Sequence, residues 1–264
     1  SAGSASISLL LTCPQAKGLF QQSILHSPGA ARPLATLTQA ESLSLKELGA
    51  DIERLRFLSA QDIFKLTSLL NPKIRGLTTP RILRPILDGV YLSENERDVF
   101  KDHRQLMLPM IVGSNLDEGS LLTKDWAIKS LDDYAGLVSS NFNALSSDAL
   151  ALYPVKAEEE IRIRVAELFG DTQFNYGTRL LAQSNSNQVA STWRYLFDKR
   201  RPSQMDGPHH GQEVAHAFGN LSAKVTSFEN DFDSEDESIS NAMLNYWVQF
   251  AYAGNPNKPE LPDW

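Results

Sequence analysis

The chain has 264 residues, of which 42% are hydrophobic and 22% are charged, enough to build one large core or two small ones. A formal charge of −7 argues against nucleic acid as a partner, because phosphate binding needs clustered Lys and Arg. The one tight basic cluster, at 199–201, is short and predicts a solvated turn. The longest strongly apolar run, at 7–11, is far below the roughly 20 residues that a membrane span needs, and no signal-peptide pattern is visible.

The chain contains a single cysteine, Cys13, which excludes an internal disulfide bond. Cys13 follows an apolar helical pattern and precedes Pro14, and its neighbours in sequence supply no base. We therefore expect a structural thiol rather than a nucleophile.

Signals for helix boundaries appear several times. Thr38 and Glu41 have capping-box spacing and predict a helix through residue 48 that ends at Gly49. Ser59 to Asp62 repeats the start signal, and a loop is expected at 70–84. The helix that starts there would carry its apolar residues on one face, at Ile63, Leu66, Leu69 and Leu70.

Three short segments predict strands, at 22–27, 106–113 and 191–197. Several helices are expected at 130–184, with a core stripe at Ile161, Val165 and Leu168, and a last amphipathic helix at 239–252. Strands separated by long helical excursions indicate an α/β fold, helix-rich with a few mostly parallel strands.

The opening residues Ser1-Ala2-Gly3 are the first place where chemistry can be expected. In α/β hydrolases the nucleophile lies on a tight turn written Gly-x-Ser-x-Gly, of which these residues would be the right half. The N–H of Ala2 would then point at a developing oxyanion, helped by the positive end of the helix that follows. On these three residues alone, a serine without a special role is the better interpretation.

The second place is the loop at 113–119, directly after a predicted strand. A carboxylate at the carboxyl end of a strand lies on the edge where α/β folds place their sites, and it could orient a catalytic histidine. Asp117 fits a turn or helix cap well. For Glu118, a catalytic acid and a solvated turn are both open.

The third place is the loop 208–213, which contains His209 and His210. A histidine beside a glycine, between a strand and a helix, can reach across the top of a sheet. Adjacent histidines rarely bind one metal ion, and only His216 follows at ligand spacing, so no metal and no cofactor are predicted. The other histidines, His26 and His103, are expected to be structural or exposed.

The three places follow the order serine, acid, histidine, which is the chain order of α/β hydrolases. Several longer motifs also resemble the type-B carboxylesterases, a family that includes the cholinesterases and the bacterial para-nitrobenzyl esterases. The resemblance covers the whole chain. Its segments are 1–20, which looks like the stretch at the nucleophile, Pro85 to Gly89, the acid loop 113–119, the histidine loop 210–213, and the final helix and turn at 246–257.

The resemblance implies a serine hydrolase of small carboxylic esters that works through an acyl-enzyme. Ser1 would be the nucleophile, His210 rather than His209 the base, and Glu118 the acid that orients it. Ala2 would donate its backbone N–H to the oxyanion, and Ser27 falls where the family often has a second serine near the acid and histidine.

The family's chain is about twice as long. We therefore expect residues 1–264 to form the C-terminal portion of an α/β-hydrolase domain, lacking the part N-terminal to the nucleophile and the extreme C-terminus. Because the missing part would hold most of the oxyanion hole, the 264 residues alone are expected to be poorly active. The secreted animal members carry disulfides here, so their absence indicates a bacterial-type member, cytoplasmic or secreted, whose oligomeric state is not given by the sequence.

Two other functions fit parts of the sequence. Some relatives have lost their catalytic residues and serve as binding modules, although all three triad positions are filled here. An N-terminal-nucleophile hydrolase would use Ser1 and its own amine as base, and would need neither Glu118 nor His210. Such enzymes are built on stacked antiparallel sheets, which the helix-rich pattern does not favour.

Overall fold

The computed structural model describes residues 1–71, 77, 80–186, 191–201, 204, 206–221 and 232–264. Part of the loop expected at 70–84 lies outside these residues. Within the described part, no helix has the length and apolar character needed to cross a membrane.

The centre of the fold is a parallel sheet with the order β1-β2-β3, formed by β1 (Ser23–His26), β2 (Met110–Asn115) and β3 (Thr192–Phe197). Every residue of β2 is buried, as expected for a strand covered on both faces. β2 begins at Met110 rather than at the predicted residue 106, because Pro109 has no N–H to donate to a ladder. The fold class predicted from the sequence is therefore confirmed.

Helices fill the long excursions between the strands. Before β2 lie α1 (Ala2–Leu10), α2 (Leu37–Leu48), α3 (Ile52–Arg56), α4 (Ala60–Leu70) and α5 (Glu96–Lys101). Between β2 and β3 lie α6 (Ser120–Thr123), α7 (Leu131–Phe142), α8 (Ser146–Leu152), α9 (Ile161–Gly170), a π-helical turn (Asp171–Asn175) and α10 (Tyr176–Ser186). After β3 come α11 (Val214–Ala217) and α12 (Ser234–Ala253).

The core has two main parts. One packs α1, α10 and the sheet together through Leu11, Leu25, Phe100, Met110 and Val112. The other joins α7, α8 and α9 and contains the predicted stripe of Ile161, Val165 and Leu168, which are all buried. Cys13 is buried and free, as expected for a structural thiol. On α4, by contrast, Leu70 is buried whereas Ile63 and Leu69 are exposed.

Three further local predictions were wrong. The capping box of α2 is Thr36 with Gln39, two residues before the predicted pair, because backbone hydrogen bonds with Leu87 hold Thr36 extended as an N-cap requires. α12 begins at Ser234 rather than at 239, because Asp233 caps it. In the basic cluster at 199–201, Lys199 is not a solvated side chain, since its ammonium pairs with Asp233 and Glu235.

A buried contact between a histidine and a carboxylate joins α11 to α12. His216 Nε2 lies 2.8 Å from Asp236 Oδ1, and both side chains are fully enclosed. The other oxygen of Asp236 accepts the backbone N–H of Asp233 in the helix cap. One carboxylate therefore holds both the histidine and the first turn of α12.

Asp236→Ala should lower the free energy of unfolding by about 3 kcal/mol, because it leaves His216 buried without its partner. Urea titration followed by tryptophan fluorescence measures the loss. Glu237→Ala, at the neighbouring exposed position of the same helix, is the matched control and should change the stability little. Equal losses for the two variants would contradict the assigned role of Asp236.

A second buried carboxylate, Glu96, ties the start of α5 to the loop after β1. Its Oε2 accepts the backbone N–H of Ala31 at 2.7 Å. Burial raises the pKa of Glu96 to about 7, against the opposing effects of the nearby Ser8 hydroxyl and of the hydrogen bond from the Ala31 N–H. The native carboxyl therefore keeps its proton to a higher pH than the unfolded one.

This raised pKa predicts that stability falls as the pH rises from about 4.5, the ordinary value, towards 7. Unfolding releases a proton across that window, so the contribution of Glu96 is present below it and is lost through it, on the order of 3 kcal/mol. Glu96→Gln should remove this part of the pH dependence, measured by urea titrations from pH 4 to pH 8. Glu41→Gln, on an exposed carboxylate, should leave the dependence unchanged, and an unaltered slope in Glu96→Gln would refute the assignment.

Candidate active site

The carboxyl edge of the sheet brings together residues from all three strand ends. Ser27 follows β1 directly, Glu118 lies three residues after β2, and His210 lies on the loop after β3. Backbone pairing between Asp117 and His209 draws the second and third loops together. Parallel strands end on one side, so residues far apart in sequence meet here.

Glu118 is buried, with 1% of its surface exposed, and both of its carboxylate oxygens are satisfied. Oε2 lies 2.5 Å from Nδ1 of His210. Oε1 accepts the hydroxyl of Ser27 at 2.5 Å and the backbone N–H of Asn115 at 2.7 Å. Three donors offset the cost of enclosing this charge and fix the direction in which it faces the imidazole.

Ser27 occupies an unusual backbone conformation for a residue with a side chain. Its φ of 45° lies in the left-handed region, and its N–H donates to the carbonyl of Gly113 at 2.8 Å. This conformation turns the chain sharply at the end of β1 and directs the hydroxyl to Glu118. Strained residues of this kind concentrate at functional sites.

Close packing behind Glu118 depends on a glycine. A Cβ at Gly119 would lie 1.9 Å from the carbonyl oxygen of Ala166, so α9 can approach the acid loop only because no side chain intervenes. Asp117 accepts the N–H groups of Gly119 and Ser120, the capping role that the sequence suggested for it. Asp117 and Glu118 thus have different tasks in one turn.

His210 is held between Glu118 and an aromatic ring. Phe174 lies with its centroid 4.4 Å from the imidazole, at an interplanar angle of 33°. Phe174 belongs to the π-helical turn between α9 and α10, an arrangement often found at functional sites. With one nitrogen facing a carboxylate and one ring face covered, the imidazole has a fixed orientation.

Ser1 meets His210 at the start of α1. The backbone nitrogen of Ser1 donates to the carbonyl of Ser27 at 2.8 Å and lies 3.2 Å from Nε2 of His210. The Ser1 hydroxyl accepts the N–H of Ser4 as the N-cap of α1, at 3.4 Å. Ala2 is the first residue of that helix, so its N–H lies at the helix's positive end.

A second buried carboxylate lies beside the first. Asn115 links them: its backbone N–H binds Glu118, whereas its side-chain amide donates 2.6 Å hydrogen bonds to Glu213 and to the carbonyl of His209. Burial raises the pKa of Glu213, but hydrogen bonds from His26 and Asn115 outweigh it and bring the pKa below its ordinary value. Asn115 therefore connects the acid loop to the loop that carries His210.

His26 completes this network at the end of β1. Its Nε2 accepts the indole N–H of Trp247 at 2.8 Å, and its Nδ1 lies 2.9 Å from the hydroxyl of Tyr195 and 3.3 Å from Glu213. Because an indole can only donate, Nε2 must be unprotonated and the proton must lie on Nδ1. His26 is thus a structural histidine, as expected from the sequence.

An open cavity of about 330 Å³ gives access to Ser1 and His210, and its lining also includes Ala2, Arg32, Arg84 and Phe174. His209 turns away from it, with Nδ1 3.9 Å from Asp117. In the ranges that the structure describes, no three His, Cys, Asp or Glu side chains gather as metal ligands.

The structure brings together Ser1, Ala2, Ser27, Glu118 and His210, the five residues singled out from the sequence. Sequence reasoning missed Asn115, Glu213 and Phe174. Asn115 lies in the loop 113–119 and Glu213 in the loop 208–213, but no sequence pattern indicates that their side chains form a hydrogen bond with each other. Phe174 carries no local signal at all, because its place depends on the π-helical turn.

Comparisons with known proteins agree with this fold. The carboxylesterase family pattern matches residues 1–264. The fumonisin B1 esterase of Sphingopyxis macrogoltabida is 35% identical, and the para-nitrobenzyl esterase of Bacillus subtilis (strain 168) is 30% identical; both alignments cover 100% of this chain, and 49% and 54% of those proteins.

Solved structures give the same result. A para-nitrobenzyl esterase superposes with a TM-score of 0.76 and 27% identity, over 99% of this chain and 55% of that one. A thermophilic para-nitrobenzyl esterase gives a TM-score of 0.79 and 26% identity over the same shares. The chain thus spans about half the length of the relatives it matches, and over all of its own length it belongs to the carboxylesterase family.

Proposed function

We propose that the protein hydrolyses carboxylic esters of small molecules, with Ser1 as nucleophile, His210 as general base and Glu118 as the orienting acid. One observation carries the proposal: a buried carboxylate faces Nδ1 of an imidazole whose Nε2 lies against Ser1 at the mouth of an open cavity. The family supports ester hydrolysis as the reaction class.

The reaction would proceed in two balanced steps. The Ser1 hydroxyl attacks the ester carbonyl carbon while its proton passes to Nε2 of His210, and the tetrahedral intermediate expels the alcohol, which takes that proton. Water then attacks the acyl-enzyme, gives a proton to His210, and releases the acid as the proton returns to Ser1. Glu118 stays ionised and keeps the Nδ1–H of the imidazole pointed at itself.

For this reaction the Ser1 hydroxyl has to leave its capping position. It now faces the N–H of Ser4, while the nitrogen of the same residue faces His210. A change of rotamer about χ1 carries the hydroxyl between staggered positions and is an inexpensive step. The negative oxyanion would then replace the hydroxyl as the hydrogen-bond acceptor at the start of α1, where the positive end of the helix also favours negative charge.

Ala2 is proposed to donate one backbone N–H to that oxyanion. We also propose that residues 1–264 are part of a larger α/β-hydrolase domain, in which other segments complete the oxyanion hole. The share of the relatives that the chain covers supports this. Because one oxyanion donor is worth about 10²–10³ in rate, the 264 residues on their own should hydrolyse a short-chain chromogenic ester poorly. Full turnover by that polypeptide would contradict the proposal.

Two rival functions make different demands. A catalytically silent binding module does not need a carboxylate, an imidazole and a serine aligned at one cavity. An N-terminal-nucleophile hydrolase would use the Ser1 amine and leave Glu118 idle, and its stacked antiparallel sheets differ from the parallel strands found here. Chemical acetylation of an amine at Ser1 would abolish that activity and spare a triad.

Ser1→Ala in the full-length protein should lower kcat for a short-chain ester by about 10⁶-fold and abolish labelling by a fluorophosphonate. Glu118→Gln should lower kcat by about 10⁴-fold, since a neutral amide no longer stabilises the charged imidazole. Ser139→Ala, on an exposed serine of α7, serves as the control and should keep both activity and labelling. Labelling that persists in Ser1→Ala would remove Ser1 as the nucleophile.

Asn115→Ala should lower kcat by about 10²-fold with little change in KM, because the loop bearing His210 loses a side-chain hydrogen bond and Glu213 loses a donor. The neighbouring Ser114→Ala is the matched control: Ser114 is equally buried, and its hydroxyl has no hydrogen-bond partner in the described residues. Stopped-flow kinetics with a chromogenic ester separates the two parameters. A pure rise in KM would show that Asn115 acts on binding and not on the position of His210.

A further inference from the structure

The aromatic ring against His210 bears on the charge that the imidazole acquires in the proposed reaction. The centroids of the Phe174 and His210 rings lie 4.4 Å apart at an interplanar angle of 33°, so the two rings face each other. The face of an aromatic ring carries negative electrostatic potential and attracts a cation within about 6 Å of its centroid. The pair therefore has the geometry of a cation–π interaction whenever the imidazole is protonated.

Enclosure of the imidazole makes this attraction important. Phe174 is buried, and 20% of the His210 side chain is exposed. Loss of water disfavours the charged form of a histidine unless other groups replace the lost hydration. Glu118 does so at Nδ1, and the Phe174 ring does so on the face that it covers. An aliphatic side chain in the place of Phe174 would exclude the same water without stabilising the charge.

The phenyl ring is held in place by its surroundings. Phe169 meets it edge-on, with the two centroids 6.1 Å apart at an interplanar angle of 61°. The preceding residue, Gln173, donates its side-chain amide to the carbonyl of Leu77 at 2.7 Å, and its own carbonyl accepts two hydrogen bonds from Arg32, at 3.2 and 2.6 Å. These contacts anchor the π-helical turn, so the ring is positioned independently of the protonation of the imidazole.

Charged groups from several elements also act on the imidazole. The Glu118 carboxylate faces it directly, and Glu213, bound by Asn115, lies on the same loop. The Arg32 guanidinium lies 5.1 Å from the centroid of the Phe174 ring, and Arg84 lines the cavity. Carboxylates favour the charged imidazole and guanidinium groups oppose it. A change confined to the phenyl ring leaves all of these groups in place, so it isolates the effect of the ring.

We propose that Phe174 is a positioning residue that stabilises the imidazolium of His210 through its π face while the Ser1 hydroxyl attacks the ester. The proposal rests on the esterase function above, in which His210 accepts the proton of Ser1. It adds a second group to Glu118 in support of that charge. Proton transfer is thus assisted by a carboxylate at Nδ1 and by an aromatic face against the imidazole.

The test changes the electrostatic potential of the phenyl ring and leaves its size almost unchanged. Phe174 of the full-length protein is replaced by 4-fluoro-, 3,5-difluoro- and 3,4,5-trifluorophenylalanine through amber suppression. Each added fluorine withdraws electron density from the π face and weakens its attraction for a cation. The kcat/KM for a short-chain chromogenic ester is then measured from pH 5 to pH 9, because this ratio reports on protonation of the free enzyme.

We expect the acid limb of the kcat/KM profile to move to lower pH in the order of fluorine content, by about half a unit for the trifluoro ring. The sign follows because a weaker π face destabilises the charged imidazole, which then loses its proton at lower pH. The plateau value of kcat should fall in the same order, by about threefold. Phe174→Leu, which removes the π face, should move the limb further, by about one unit.

The same fluorinated residues at position 169 are the matched control, because Phe169 packs against Trp126 and Phe174 and has no ring contact with His210 in the described residues. They should leave the acid limb in place. A limb that does not move in the series at 174, or a fall in kcat without an ordered movement of the limb, overturns the role of Phe174 while ester hydrolysis stands. Absence of turnover and of fluorophosphonate labelling in the unsubstituted protein would instead mean that the esterase function itself has failed.

Discussion

The site depends on one enclosed negative charge. Glu118 is buried, and a buried carboxylate is tolerable only when hydrogen-bond donors replace the water that it has lost. Those donors come from three segments of the chain: a hydroxyl directly after β1, a backbone N–H at the last residue of β2, and an imidazole in the loop after β3. The need to satisfy one side chain therefore fixes the relative positions of segments separated by about 90 residues on either side of it.

A second buried carboxylate, Glu213, also needs hydrogen-bond donors, and Asn115 donates to both Glu118 and Glu213. This residue lies at the last position of β2. Its backbone N–H donates to Glu118, and its side-chain amide donates to the carbonyl of His209 in the loop that carries His210. Glu213 and His26 then join Tyr195 and Trp247 into a second layer, in which a donor-only indole fixes the tautomer of His26. Gly113 permits this layer, because a Cβ there would lie 2.2 Å from the Tyr195 ring. Rigid packing and polar pairing thus support each other beneath the site.

The sequence predicted those features that depend on local pattern or on contiguous motifs. The parallel strands and the helical stretch at 130–184 followed from apolar periodicity, and the candidate site residues that lie together in the structure were selected by chain order and family resemblance. Features set by tertiary contact did not. Two threonine positions fit a capping box equally well, and only pairing with Leu87 selects Thr36. Arg32 appeared in no motif, because its importance comes from Gln173 and Phe174, some 140 residues away.

The π-helical turn at Asp171–Asn175 has a consequence for how this site can change over generations. Such a turn holds one residue more than the α-helix around it, and losing a single codon there would restore a regular helix. Everything beyond the deletion would rotate by about 100° relative to what precedes it, since an α-helix has 3.6 residues per turn. Substitutions can change the ring at position 174 in small steps, whereas the loss of one residue from this turn would move every side chain that follows it at once. Descendants of this chain should therefore differ in the amino acids at 171–175 but keep the number of residues in this turn.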